Sequence, residues 1–351
     1  VTISENVLLN TYTTFRIGGP ARFFVVVKNI LDLTDALVFA QQKGLPIFVL
    51  GGGSNIVMSD NGFDGLVIKN EITGITFQEK ADNPDVPENT TLVIAGAGEE
   101  WDAFVGTTVE KNLFGLETLS LIPGTVGAAP VQNIGAYGTE VKTTVRFVEA
   151  MHKETGELCT FTNAQCDFSY RNSFFKTPEG KKYVITRVGF ILKHHDKPNI
   201  SYRDIQKYIE EHKLAEVDIT LQKVRDIVID IRTNKLPSVK DYGTAGSFFK
   251  NPIIPKAEYE ALLQQYPMMP HYPAGEELVK IPAAWILDNV CGFKGYREGD
   301  VGVYKNQALV LVNYGNATEK DVKNLAEKMI ACVKEKTNIN LEREVEYISE
   351  K

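Results

Sequence analysis

Residues 22–28 (RFFVVVK) are β-branched and aromatic and read as a strand; Leu33, Leu37 and Ala40 then recur at i, i+4 and i+7 until Gly44 stops the stripe. Residues 46–50 (PIFVL) come next as a short buried strand, so the chain opens as a βαβ-like unit. Further on, Leu221, Val224, Val228 and Ile231 fall on one face of a helix that starts near Ile219 and is closed by Pro237, with a domain boundary expected just before it. A last helix starts at Thr318, with Asp321 three residues on as a capping-box variant, and runs through Val322, Leu325, Met329 and Val333. After Asn338 the pattern turns to strand, with Glu342, Glu344 and Glu346 alternating against Leu341, Val345 and Tyr347.

Glycine marks the positions with chemical promise. The opening unit runs into Gly51-Gly52-Gly53-Ser54-Asn55, and the next thirteen residues (IVMSDNGFDGLVI) hold turn residues and another strand. A Rossmann fingerprint needs its glycine loop to open a helix that carries a pyrophosphate, so that reading is excluded. Gly96-Ala97-Gly98-Glu99-Glu100-Trp101 comes after a strand and precedes a helix, but Trp101 takes the third glycine position and the carboxylates would meet a phosphate head on. It reads as a tight turn. Residues 122–138 (IPGTVGAAPVQNIGAYG) carry four glycines and three alanines, which lets backbone N–H groups approach a flat or phosphorylated ligand. A tightly packed turn is the alternative.

The 351 residues, 43% hydrophobic and 24% charged, suit a soluble globular protein of two or three domains and exclude a small stapled scaffold. A net charge of −7 argues against nucleic acid or an anionic membrane as partner, so any anionic ligand must be held by specific residues. Cys159, Cys166, Cys291 and Cys332 form no Cys-x-x-Cys pair, and none of the five histidines has metal-ligand spacing, so no metal site and a cytoplasmic location are expected. Residues 1–10 have no basic flank and apolar core of a secretory leader, and no stretch reaches the ~20 apolar residues of a membrane span.

Residues 50–55 (LGGGSN), 122–138 and 245–252 (AGSFFKNP), with 10–21 (NTYTTFRIGGPA) and 169–176 (SYRNSFFK), together resemble the UDP-N-acetylenolpyruvoylglucosamine reductases over nearly the whole chain. The resemblance implies an α+β fold. Its FAD-binding domain is of the vanillyl-alcohol-oxidase (PCMH) type, built from subdomains 1–68 and 69–217, to which the C-terminal strand 340–351 is able to return. A substrate domain, 218–339, closes over the nucleotide-sugar. It further implies bound FAD, NADPH as co-substrate, and reduction of UDP-N-acetylglucosamine enolpyruvate to UDP-N-acetylmuramate for peptidoglycan synthesis, by a monomer.

Carried over by motif, the FAD contacts are Gly51, Gly52, Gly53, Ser54, Asn55, Pro123, Gly124, Gly127, Ala128, Gln132, Asn133, Gly135, Ala136, Tyr137 and Gly138. Arg171 matches the arginine facing the substrate carboxylate, Ser247 the proton donor and Glu344 the carboxyl group that assists the enolate. Tyr202, Lys235, Asn251, Tyr272, Lys280 and Gln307 match substrate contacts, and Tyr202 marks the longer subtype with a tyrosine loop. Two ambiguities stay open. Ser-Tyr-Arg recurs at 201–203, and Arg343 stands where a proline is common, leaving Glu342 as a rival to Glu344. An FAD-dependent oxidase on the same scaffold and a non-catalytic nucleotide-sugar-binding protein are the competing functions.

Overall fold

The computed structural model describes residues 1–349, and within it the chain forms two compact units. The first comprises Val1–Val7, Ala21–Gly52 and Asp64–Asn234; the second comprises Leu8–Pro20, Gly53–Phe63 and Lys235–Lys351, of which residues 350 and 351 lie outside the description. Helices and strands are mixed throughout, as the α+β expectation requires.

The first unit holds two sheets. One has the order Ile3–Leu8, Pro20–Val27, Phe63–Asn70, Ile47–Leu50, with the last two parallel. Helix Ile30–Lys43 buries Leu33, Ala36, Leu37 and Ala40; Asn29 caps it by accepting the Asp32 N–H, and Gly44 at φ 62° ends it. The other sheet is antiparallel, ordered Leu158–Thr162, Val145–His152, Tyr183–Lys193, Thr90–Gly96, Ile75–Gln78. Trp101 and Phe104 on helix Trp101–Glu110 pack on Phe190 of the central strand, with ring centroids 6.1 and 5.1 Å away.

The expected turn at 96–101 is there. A Cβ on Gly96 would stand 2.3 Å from the Ile72 carbonyl, and the Glu100 carboxylate accepts the Ala103 N–H at 2.6 Å as the helix cap. That carboxylate occupies the helix N-terminus where a phosphate would have to sit.

Helices Arg203–Glu211 and Leu221–Lys235 share a small core of Ile205, Val224, Ile227 and Val228, against which Tyr137 and Tyr202 pack. The second helix, the one expected to follow a domain boundary at 217, lies as far as Asn234 in the first compact unit, with its apolar face buried in that small core. The units also cut the N-terminal segment differently, taking Leu8–Pro20 and Gly53–Phe63 into the second.

The second unit is built on the sheet Gly243–Ser247, Val310–Asn313, Val301–Val303, Arg297–Glu298 and a smaller one, Ile253–Pro255, Leu278–Lys280, Tyr272–Pro273. Helix Glu319–Thr337 covers its core with Val322, Leu325, Met329 and Val333 and has the expected capping box of Thr318 and Asp321. The alternating strand expected after Asn338 is shorter. Only Glu346–Ile348 forms a strand, parallel to Ile56–Met58, while residues 341–345 make a single antiparallel bridge, Arg343 to Phe249, with Leu341 and Val345 buried.

Candidate active site

In the first unit, Leu50 is the register partner of Lys69, and the chain leaves the sheet at Gly51. Lys69 Nζ donates to the Gly51 carbonyl at 2.7 Å. A Cβ on Gly51 would stand 2.8 Å from Thr125 Oγ1, and one on Gly52 would stand 2.7 Å from the Gly124 Cα. The two glycine-rich segments therefore meet backbone to backbone, an approach that any side chain would prevent. Residues 124–127 are laced to the preceding turn: Trp101 N–H donates to Gly124, Val126 to Glu99 and Gly127 to Ala97, at 3.1, 2.9 and 2.9 Å.

Gly52, Gly124, Thr125, Lys28 and Lys69 line a cavity of about 590 Å³, and Glu71 and Glu100 lie on its wall as well. The glycine and lysine part fits the diphosphate of FAD, since backbone N–H groups and ammonium charges favour an anion; the two carboxylates repel one. A residue with a side chain at Gly51 or Gly52 would fill this cradle.

Farther along, residues 131–138 are held by the segment that carries Arg171. Buried Asn133, at φ 47°, donates to the Ser169 carbonyl at 3.0 Å and to Glu140 at 3.1 Å, and accepts the Lys142 N–H at 3.1 Å. Ser173 Oγ donates to the Val131 carbonyl at 2.6 Å. Arg171, itself left-handed at φ 54°, donates from Nη2 to the Gly135 carbonyl at 2.8 Å. The arginine of the other Ser-Tyr-Arg, Arg203, is exposed at the start of its helix. Tyr137 meets Tyr202 edge-on, with centroids 5.4 Å apart.

Arg232 lies close enough to Tyr137 to feel its hydroxyl and donates to the Leu121 carbonyl at 3.3 Å. Burial pushes the Arg232 guanidinium down and the Tyr137 phenol up. Leu121, at φ 58°, also donates its N–H to Asp102, which Arg225 grips with two guanidinium nitrogens at 2.7 and 3.0 Å. Lys69, Asp102, Arg225 and Arg232 escaped the sequence reading. The one available signal was helical spacing, which puts Arg232 one turn before Lys235 on the same helix.

The second unit takes Gly53, Ser54 and Asn55. Gly53, at φ 62°, would carry a Cβ 2.2 Å from the Tyr12 carbonyl, so the segment 10–21 seats this part of the loop. Strand Gly243–Ser247 breaks register between Thr244 and Ser247, with Gly246 at φ 73°. This bulge turns Ser247 outward while Phe248 and Phe249 anchor in the core. Glu344 N–H donates to the Phe248 carbonyl at 2.9 Å, which places Ser247 and Glu344 on adjoining backbone.

Glu342, by contrast, is 71% exposed and paired with Lys250. Glu344 is half-buried, so the two glutamates stand in different surroundings. Among the other substrate candidates, Tyr272 and Lys280 are cross-strand partners on one face. Asn251 Oδ1 accepts the Ala283 N–H at 2.9 Å, and Gln307 Oε1 accepts the Leu309 N–H at 3.4 Å. Lys235 ends helix Leu221–Lys235. Among the described residues, no group of three or more His, Cys, Asp or Glu side chains is placed to hold a metal ion, and no helix is long and apolar enough to cross a membrane.

The family model of the FAD binding domain matches residues 21–162, and that of the UDP-N-acetylenolpyruvoylglucosamine reductase C-terminal domain matches 237–348. The UDP-N-acetylenolpyruvoylglucosamine reductase of Flavobacterium johnsoniae is 43% identical over 347 residues, 99% of each chain. The chain belongs to the UDP-N-acetylenolpyruvoylglucosamine reductase family. Another member, from Porphyromonas gingivalis, is 44% identical over 346 residues, again 99% of each chain. The crystal structure of the Thermus caldophilus reductase, 25% identical, matches with a TM-score of 0.66 over 99% of this chain and 100% of that one. In this family's terms, the FAD-binding match covers the segments that carry Gly51–Gly52 and Gly124–Gly138, and the C-terminal match covers those that carry Ser247 and Glu344.

Proposed function

We propose that the protein is an FAD-dependent oxidoreductase that reduces UDP-N-acetylglucosamine enolpyruvate to UDP-N-acetylmuramate with NADPH, in peptidoglycan precursor synthesis. The observation that carries this reading is 43% identity over 99% of a named reductase of that substrate, which leaves no domain of either chain unmatched. FAD, when bound, would supply the hydride-transfer chemistry between NADPH and the methylene carbon of the enolpyruvyl group.

The chain's own residues then have three tasks. Arg171 would fork onto the substrate carboxylate with its planar guanidinium, in an orientation supported by its bond to Gly135. Ser247, turned outward by the bulge, would deliver a proton to the carbon next to that carboxylate. A hydroxyl is a weak acid, so this works only against a strongly basic carbanion. Glu344 would assist the enolate by donating a hydrogen bond from its protonated form. Tyr202, Lys235, Asn251, Tyr272, Lys280 and Gln307 would hold the nucleotide-sugar, lysine against diphosphate being a point-charge contact. A monomer working in the cytoplasm completes the reading, supported there by four free thiols.

The purified protein should show a flavin spectrum that bleaches on anaerobic addition of NADPH and recovers on addition of the enolpyruvyl sugar. A colourless protein that cannot be reconstituted with FAD would sink the reading, and bleaching that only oxygen reverses would point to an oxidase.

A further inference from the structure

Resting on the FAD reading above, we propose that Lys69 is a positioning residue for the cofactor diphosphate, acting through the peptide that joins Gly51 to Gly52. Parallel pairing sets Lys69 opposite Leu50, so its side chain arrives where Gly51 leaves the sheet. Its ammonium holds the Gly51 carbonyl at 2.7 Å. In a trans peptide the C=O and N–H point in opposite directions, so a carbonyl fixed on Lys69 aims the Gly52 N–H away from it.

The donor's direction is thereby set from behind. Gly52 cannot drift, because its backbone already abuts Gly124. Charge adds to geometry: an ammonium on the carbonyl polarises the peptide and makes the Gly52 N–H a stronger donor to an anion. Lys69 also lines the same cavity as Gly52, Gly124 and Thr125. Burial lowers its pKa, with Glu71 acting in the opposite sense. The bland reading of the contact is a lysine that merely satisfies a strand-end carbonyl. The two readings differ in whether charge at this position is felt by the cofactor.

FAD release from the holoprotein, tracked by the return of flavin fluorescence on dilution at several KCl concentrations, tests this. Lys69→Met is expected to release FAD about ten-fold faster than wild type, with a shallower salt dependence, and Lys69→Arg to stay within about three-fold. Lys69→Gln keeps a donor without the charge and carries the same expectation should the methionine variant not fold. Release rates within two-fold of wild type overturn the proposal, and so does faster release with wild-type salt dependence, which a purely structural role would give. A wild-type protein that carries no flavin and takes up no FAD overturns the FAD reading instead.

Discussion

The side-chain amide of Asn55 donates to the backbone carbonyl of Glu344 at 3.2 Å, joining positions 289 residues apart. Since Glu344 in turn donates its N–H to Phe248, the end of the glycine loop, the segment after Ser247 and the Glu344 backbone are joined by one side-chain and one backbone hydrogen bond. Asn55→Ala removes this donor from the half-buried Glu344 carbonyl. A loss of about 1 to 2 kcal/mol is expected. Chemical denaturation should show it as a lower midpoint at unchanged slope, and a wild-type midpoint would mean that the bond adds nothing.

As the proposed proton donor, Ser247 would act in only one half of the reaction. Ser247→Ala should leave reduction of the flavin by NADPH nearly intact while slowing reduction of the enolpyruvyl sugar about 10²-fold or more, the usual scale for a lost general acid. Anaerobic stopped-flow of each half separates them. Equal slowing of both would remove Ser247 from proton delivery.

The regular elements were legible because their signals are local. The stripe of Leu33, Leu37 and Ala40 with Asn29 and Gly44 at its ends specifies helix Ile30–Lys43 without reference to the rest of the chain. Thr318 with Asp321 does the same for the last helix. The placement of helix Leu221–Lys235 was not legible, since an apolar face does not state which core it enters; Ile205, Tyr137 and Tyr202 decide that. Residues 341–345 deceived for a related reason. Alternation predicts a strand only where pairing is sustained, and here it stops at one antiparallel bridge, Arg343 to Phe249, before Glu346–Ile348 pairs with Ile56–Met58. In the site, the glycine segments announced themselves by composition, whereas Lys69, Asp102 and Arg232 act through backbone carbonyls and N–H groups, which leave no sequence motif.

Asp102 offers a test of how that supporting shell contributes. Burial works against its charge, but the hydrogen bond from Arg225, the Leu121 N–H and the nearby guanidinium charges together hold its carboxyl below the usual 3.8. A depressed carboxyl contributes stability above its unfolded pKa, and that contribution is lost as pH falls through the folded value. Asp102→Asn should therefore lower stability at pH 7 by about 2 to 3 kcal/mol, between the effects of surface and buried pairs, and flatten the decline below about pH 4. Thermal unfolding from pH 7 down to pH 3 measures both. Parallel curves for the two proteins would assign the acid sensitivity to other carboxylates.

The two glutamates near the C-terminus give the sharpest contrast, because one pairwise comparison separates a surface ion pair from a catalytic candidate. Glu342 is 71% exposed against Lys250, so Glu342→Gln forfeits an interaction worth at most about 1 kcal/mol and should keep sugar reduction within about two-fold. Glu344→Ala should slow sugar reduction about 10²-fold, a typical loss for one group that stabilises developing charge. Glu344→Gln distinguishes how the carboxyl acts. An amide still donates a hydrogen bond, so if Glu344 works in its protonated form, glutamine should recover part of the rate, whereas a role for its negative charge predicts equal loss in both variants. Single-turnover reduction of the enolpyruvyl sugar by prereduced protein reads all three. A large loss in Glu342→Gln with wild-type behaviour in Glu344→Ala would reverse the assignment.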